Sequence, residues 1–209
     1  MSFFVDAITG FLKARDVDEV TYVGVSMGGQ VGLALALEAP ERMRRLGLVS
    51  PAGIEPFMSE EAAALKEAMT PADIVNSTDE QVRQSVALNS ATWSDDYNWL
   101  LEQRHALSER DDFEAYATAN ARSVAGMLDG DVRDRLGEID VPTLVLFGAG
   151  DNLIPNQHLH EGMTTMDVAE RAEETLSNAK VQVVDGAGHL LMLERPNRFR
   201  RAFRSFLND

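Results

Sequence analysis

The sequence contains no cysteine, which excludes disulfide bonds, thiolate zinc sites and a cysteine nucleophile. It also lacks any apolar run near the roughly 18 residues that a membrane-spanning helix needs. No basic region precedes the first apolar residues, so the N-terminus does not have the pattern of a signal peptide. These three absences predict a cytoplasmic protein that does not act at a membrane.

Basic residues are scarce as well. Nineteen Lys and Arg stand against 34 Asp and Glu, for a net charge of −15. A chain this acidic is repelled by nucleic acids and by anionic lipid surfaces. Among the four histidines, His158 and His160 have no third ligand at metal spacing, so they indicate a flexible loop rather than a metal site, and His105 lies in a charged, solvated helix. We expect neither metal nor cofactor, and a small molecule as the partner.

Short apolar strands alternate with helical patterns at both ends of the chain. An amphipathic helix covers about the first 16 residues. Buried strands are predicted at residues 20–25, 46–49, 141–148 and 181–184, and further helices at residues 30–38, 167–176 and 196–207. Continuously apolar strands separated by helices are typical of a parallel sheet that is covered on both faces. The sequence therefore predicts an α/β fold with about four parallel strands.

The middle of the chain has a different character. From residue 54 to residue 140 the strand patterns stop, and charged helical stretches follow one another between short turns. We interpret this region as an all-helical insertion, a lid or cap. The core is then formed by residues 1–53 and 141–209, on either side of it.

Three polar residues follow predicted strands. Ser26 lies in the sequence Gly-Val-Ser-Met-Gly-Gly at residues 24–29, between a strand and a helix, where small neighbours allow a sharp turn that exposes the hydroxyl. Asp151 follows the third strand, and His189 follows the fourth. Because the carboxyl ends of parallel strands meet at one edge of a sheet, these three side chains are expected to converge. Their order, Ser, Asp, His, is the order expected of α/β-hydrolases.

With these motifs the chain resembles the α/β-hydrolase superfamily, in its lid-bearing branch of serine esterases and carbon–carbon bond hydrolases. The resemblance also includes residues 141–148 and residues 188–196 (Gly-His-Leu-Leu-Met-Leu-Glu-Arg-Pro). It implies that Ser26 is the nucleophile, His189 the base and Asp151 the acid of a catalytic triad. The implied substrate is a carboxylic ester, a thioester, a lactone or an activated C–C bond.

Four further residues are candidates for the site or its surroundings. The backbone N–H of Met27 is the expected oxyanion donor, because it opens the helix after the nucleophile. Leu190, Trp93 and Trp99 are candidates for the substrate pocket. Glu194 and Arg195 are interpreted as a local ion pair at the surface or at the helix entry.

The chain departs from the family pattern ahead of the nucleophile, where about 80 residues of the usual fold have no counterpart. That segment usually carries the second oxyanion donor, so the second donor is missing from the chain as given. We expect the chain to be a fragment, a protein completed by another chain, or one that self-associates through the exposed edge of its first strand. An acyl transferase with the same triad, and a weakly active or non-catalytic ligand-binding fragment, remain alternatives.

Overall fold

A computed structural model describes residues 1–208. Four parallel strands form one sheet in the order β1-β2-β3-β4, so that each strand pairs with the next one along the chain. Their bounds are β1 (Val20–Val25), β2 (Met43–Val49), β3 (Thr143–Gly148) and β4 (Ala179–Val184). The predicted four-stranded parallel sheet is confirmed.

Ten α-helices accompany the sheet in the described part of the chain. They are α1 (Ser2–Ala14), α2 (Met27–Glu38), α3 (Ser59–Glu67), α4 (Pro71–Val75), α5 (Asp79–Ala87), α6 (Asn98–Ser108), α7 (Phe113–Asp129), α8 (Thr165–Thr175), α9 (Leu191–Glu194) and α10 (Pro196–Asn208). Short 3-10 helices lie at Pro40–Arg42, Asp95–Tyr97 and Arg133–Glu138. Over residues 1–208, no helix combines the length and the apolar composition that crossing a bilayer requires.

The core occupies both faces of the sheet. On one face, fully buried side chains of α2 such as Leu33 pack with Phe147 of β3 and with α8. On the other face, Phe203 and Phe206 of α10 pack against Leu144 and Leu146 of β3. Each large apolar side chain buried in this way stabilises the fold by about 1.5–3 kcal/mol. Because both faces are covered, β3 is buried along its whole length.

Residues 54–140 form helices and turns and contribute no strand to the described sheet. Two of these helices, α4 and α5, begin with capping boxes, in which a threonine oxygen and an acidic or amide side chain three positions later satisfy the first backbone donors. We call residues 54–140 the helical segment. Its separation from the core as a lid stays a prediction.

The observed starts differ most from the predicted ones, by three residues, at α2 and β2. Helix α2 begins at Met27 rather than at residue 30, because Gly28 and Gly29 continue the helix although glycine favours turns. Strand β2 begins at Met43, three residues before the predicted start. Its charged second residue, Arg44, is exposed and pairs with Glu19 at 3.0 Å, so the polar start of the strand faces solvent.

Strand β1 lies at one edge of the described sheet. It pairs with β2 along its length, and no other strand of residues 1–208 pairs with it. Val23 in this strand is 46% exposed. Self-association through this edge stays a prediction.

Candidate functional site

The register of the sheet brings the ends of the strands together. Val25 is paired with Val49, Val49 with Leu146, and Gly148 with Val184. The residues that follow β1, β3 and β4 therefore leave the sheet at the same edge. This is the edge at which open α/β sheets place their binding sites.

Ser26 occupies a strained turn between β1 and α2. Its φ of 54° and ψ of −122° lie in a region that L-residues rarely adopt. Hydrogen bonds hold the turn in place: the Ser26 N–H donates to the Val49 carbonyl at 2.9 Å, and the Ser26 carbonyl accepts from Gly29 at 2.8 Å and from Ala52 at 3.0 Å. A serine that follows a strand in this conformation has the backbone of a nucleophile turn.

Two glycines give this turn its space, although not the two that the motif indicates. A Cβ on Gly24 would overlap the Gly28 carbonyl oxygen, and a Cβ on Gly29 would lie 2.6 Å from the Cβ of Pro51. A Cβ on Gly28 would meet no atom within 4 Å. Among the small neighbours that the motif places around Ser26, Gly28 is therefore not needed for space: α2 approaches the chain after β2 one residue later, at Gly29.

Asp151 and His189 form a buried pair. The Nδ1 atom of His189 lies 2.9 Å from Oδ2 and 3.1 Å from Oδ1 of Asp151. Oδ1 also accepts the backbone N–H groups of Leu153 at 2.9 Å and Ile154 at 3.1 Å. The two residues are 6% and 3% exposed, respectively. A carboxylate fixed in this way holds the imidazole in one orientation with Nδ1 protonated, which leaves Nε2 as the basic nitrogen.

The structure thus brings together two of the three predicted triad residues and places the third at the same edge. Within residues 1–208, no hydrogen bond joins the Ser26 hydroxyl to His189, and that hydroxyl does not cap α2. Such catalytic hydrogen bonds often form only when substrate binds. Met27 is the first residue of α2, and the first N–H groups of a helix lack acceptors within the helix. Its role as oxyanion donor stays a prediction.

The three predicted pocket residues lie in different surroundings. Leu190 follows His189, and its N–H donates to the Asn89 carbonyl at 3.0 Å. Trp93 packs edge-on against Tyr97, with ring centroids 6.0 Å apart. Trp99 is 47% exposed on α6. Of the three, Leu190 is the one adjacent to the predicted base, and all three assignments stay predictions.

The structure contains a second histidine–carboxylate pair, which is not among the predicted sites. The Nδ1 atom of His160 lies 2.6 Å from Oε1 of Glu55, and the same oxygen accepts the Asn156 N–H at 2.7 Å. Burial raises the pKa of the Glu55 carboxyl, which is 3% exposed. The sequence predicts a flexible loop at His160, whereas this histidine is held by a buried partner.

The other ring nitrogen of His160 faces α3. Its Nε2 lies 3.4 Å from Oε2 of Glu61 on α3. The Met58 N–H donates to that oxygen at 2.6 Å and lowers the pKa of Glu61. Although three such side chains meet here, the described residues contain no group of His, Asp and Glu arranged to hold a metal ion. By contrast His105, 3.7 Å from Asp79, is half exposed, as its solvated helix predicts.

The contacts of the Glu194 carboxylate also differ from those that the sequence predicts. Its carboxylate accepts the backbone N–H of Gly188 at 2.5 Å and that of Ala91 at 3.0 Å. Arg195 donates to the Glu194 backbone carbonyl. The interpretation of Glu194 and Arg195 as a local surface ion pair is therefore wrong, because the carboxylate is directed at backbone donors beside His189.

Comparison with known proteins gives the same fold. A sequence model described as the alpha/beta hydrolase fold matches residues 1–196. The chain belongs to the α/β-hydrolase family. The resemblance inferred from Ser26, Asp151 and His189 is thereby confirmed at the level of the family.

Among its relatives in this family is the 2-hydroxy-6-oxononadienedioate/2-hydroxy-6-oxononatrienedioate hydrolase of Paraburkholderia xenovorans (strain LB400). It is 28% identical over 208 residues, which cover 96% of this chain and 66% of the relative. The chain spans about two thirds of the length of the curated relatives it matches.

Two solved structures show the fold shared by this α/β-hydrolase. A probable hydrolytic enzyme from Pseudomonas aeruginosa PAO1 superimposes with a TM-score of 0.82 at 21% identity, over 97% of this chain and 68% of the other. The 2-hydroxy-6-oxo-6-phenylhexa-2,4-dienoate hydrolase from Rhodococcus sp. strain RHA1 gives a TM-score of 0.77 at 22% identity, over 98% and 69%.

Proposed function

We propose that this α/β-hydrolase is a serine hydrolase in which Ser26 is the nucleophile, His189 the general base and Asp151 the residue that orients it. The observation that carries the proposal is the buried pair of Asp151 and His189, at the edge of the sheet where Ser26 occupies a strained turn. Backbone strain of this kind is concentrated at active sites, and a carboxylate fixed by backbone donors is the arrangement that orients a catalytic imidazole.

Each residue has a defined task in this proposal. Ser26 Oγ attacks the carbonyl carbon of the substrate while Nε2 of His189 accepts the hydroxyl proton. The Met27 N–H donates to the oxyanion that forms on the carbonyl oxygen. His189 then delivers the proton to the leaving group, and a water molecule hydrolyses the acyl group from Ser26 by the same steps in reverse order.

We infer that the substrate is a small carbonyl compound, either an ester or a ketone whose adjacent C–C bond is activated for cleavage. The family membership supports hydrolysis. The P. xenovorans relative, a hydrolase of 2-hydroxy-6-oxononadienedioate and 2-hydroxy-6-oxononatrienedioate, favours the C–C bond. The helical segment would act as the lid of the pocket. Leu190 is the pocket residue best placed to contact the acyl group, since it follows the predicted base.

The test is hydrolysis of two substrate panels, short aryl esters and 2-hydroxy-6-oxo dienoic acids, by the wild-type chain. Ser26→Ala should abolish turnover of whichever panel is hydrolysed, whereas Ser205→Ala, an exposed serine on α10, should leave turnover unchanged. Turnover that survives Ser26→Ala would overturn the proposal. Product analysis with an added alcohol or thiol separates hydrolysis from acyl transfer, because a transferase would form the new ester or thioester.

A further inference from the structure

A three-residue stretch of the helical segment, residues 89–91, crosses the loops that carry Asp151 and His189. The side-chain amide of Asn152 donates to the Ser90 carbonyl at 3.0 Å, and the Leu190 N–H donates to the Asn89 carbonyl at 3.0 Å. Each of these donors directly follows one member of the Asp–His pair. Residues 89–91, which we call the crossing segment, are therefore hydrogen-bonded to both loops.

Glycines beside the pair make room for the crossing segment. A Cβ on Gly188, which precedes His189, would overlap the backbone nitrogen of Ala91. A Cβ on Gly150, which precedes Asp151, would lie 2.9 Å from the Cβ of Ala91. Neither glycine has a positive φ, so close approach of the crossing segment, and not backbone conformation, explains why glycine occupies both positions.

Glu194 connects the His189 loop to the crossing segment. It is the last residue of α9, the short helix that follows the His189 loop. One carboxylate oxygen accepts the Gly188 N–H and the other accepts the Ala91 N–H. Hydrogen bonds from N–H groups to a carboxylate are roughly twice as strong as neutral ones. Two of them, made to adjacent stretches of backbone, fix the distance between the His189 loop and the crossing segment.

We propose that Glu194 is a positioning residue for His189, which it holds against Asp151 by binding the His189 loop to the crossing segment. Asn152 does the same for the Asp151 loop through its single bond to Ser90. The catalytic consequence rests on the proposed function, whereas the geometry of the Asp151–His189 pair can be measured without any turnover. The helical segment thus contributes backbone to the support of the pair.

The test is Glu194→Gln, which keeps the size of the side chain. A glutamine offers one oxygen acceptor, and its NH₂ group faces the second N–H donor, so one of the two bonds is lost. We expect kcat to fall roughly tenfold to a hundredfold, the effect of one charged hydrogen bond, with KM unchanged. The matched control is Glu102→Gln, an exposed glutamate on α6, which should change neither constant.

The NMR signal of the His189 Nδ1 proton distinguishes a positioning role from a purely structural one, because it reports the hydrogen bond of this proton to Asp151. Glu194→Gln should shift or broaden this signal in a chain whose remaining amide spectrum is that of the wild type. If Glu194→Gln does not fold, Asn152→Ala removes the other link and should perturb the same signal more weakly. An unchanged Nδ1 signal in the folded variants would overturn the proposal, whether or not the chain hydrolyses any substrate.

Discussion

Residues 1–208 contain two histidine–carboxylate pairs in which the carboxylate is buried, and they differ in what surrounds the second ring nitrogen. In the first pair, Nδ1 of His189 contacts Asp151, and within residues 1–208 no hydrogen bond occupies its Nε2. In the second pair, Nδ1 of His160 contacts Glu55 and its Nε2 faces Glu61. A histidine with carboxylates at both nitrogens has no nitrogen left to accept a proton from a nucleophile.

The comparison shows that a short imidazole–carboxylate distance does not by itself identify a general base. The His160 contact, at 2.6 Å, is shorter than the His189 contact at 2.9 Å. What distinguishes the two histidines is the element that faces them. His189 lies at the sheet edge with Ser26, whereas His160 lies between Glu55 and α3, with the Phe57 ring 5.3 Å from its own. We therefore expect His189 to serve catalysis and His160 to serve the attachment of α3.

The largest expected effect separates the two pairs by activity. Asp151→Asn should lower kcat about 10⁴-fold, because an amide at this position favours the wrong imidazole tautomer. Glu55→Gln, the same change in the second pair, should leave kcat within about threefold, since Glu55 orients no catalytic group. The measurement is steady-state hydrolysis of the substrate identified for the wild type. Equal losses in the two variants would remove the distinction between the pairs.

The second effect is on stability. His160→Ala should lower the free energy of unfolding by about 2 kcal/mol, because the buried Glu55 carboxyl loses its hydrogen-bond partner. The exposed neighbour His158 provides the control, and His158→Ala should change stability by no more than about 0.5 kcal/mol. Urea unfolding followed by circular dichroism measures both. Equal stability of the two variants would show that His160 does not support the fold.

The third effect concerns pH. Because burial raises the pKa of Glu55 in the folded state above the ordinary value of about 4.3, the folded chain binds more protons there than the unfolded chain. Stability should then fall as pH rises from about 4.3 through the folded-state pKa, and level off above it. Glu55→Gln removes this titration, so its melting temperature should depend less on pH in that range. An identical pH profile in the two proteins would contradict the assignment.

The smallest effect is expected at Glu61, which lies on the helical segment. Glu61→Gln keeps an oxygen that can accept the Met58 N–H but loses the charge that faces His160 at 3.4 Å. We expect a lower melting temperature, with a smaller loss than in His160→Ala, and the difference should shrink at high salt because partly exposed charges are screened. A loss as large as that of His160→Ala would mean that Glu61, not Glu55, is the main partner of the imidazole.

Sequence patterns are sufficient to predict the sheet and the family, because continuously apolar strands and the residues that follow them are local features. The sequence predicts that the candidate triad residues, which follow β1, β3 and β4, lie at one edge of the sheet, and the strands that end at Val25, Gly148 and Val184 have the register that this requires. The contacts of Glu194 and His160 were not predictable in this way. Glu194 contacts Ala91 across 103 positions of the chain, and His160 contacts Glu55 across 105.

One local signal could have drawn attention to the second pair. Glu55 lies between Ile54 and Pro56, shortly after the end of β2, and a single acidic residue in an apolar stretch suggests a buried carboxyl that needs a partner. The sequence does not say which of the four histidines provides it. The sequence likewise does not show that Gly29, and not Gly28, is the crowded glycine, because the crowding comes from Pro51 in the loop after β2.

The central claim is that Ser26 is a nucleophile activated by His189, and covalent labelling tests it most directly. The chain is treated with a fluorophosphonate, which reacts with activated serines, and the adduct is located by peptide mass spectrometry. We predict one adduct, on Ser26, which is lost in Ser26→Ala, strongly reduced in His189→Gln and retained in His160→Gln. No adduct on the folded wild-type chain, or an adduct that persists in Ser26→Ala, would contradict the account.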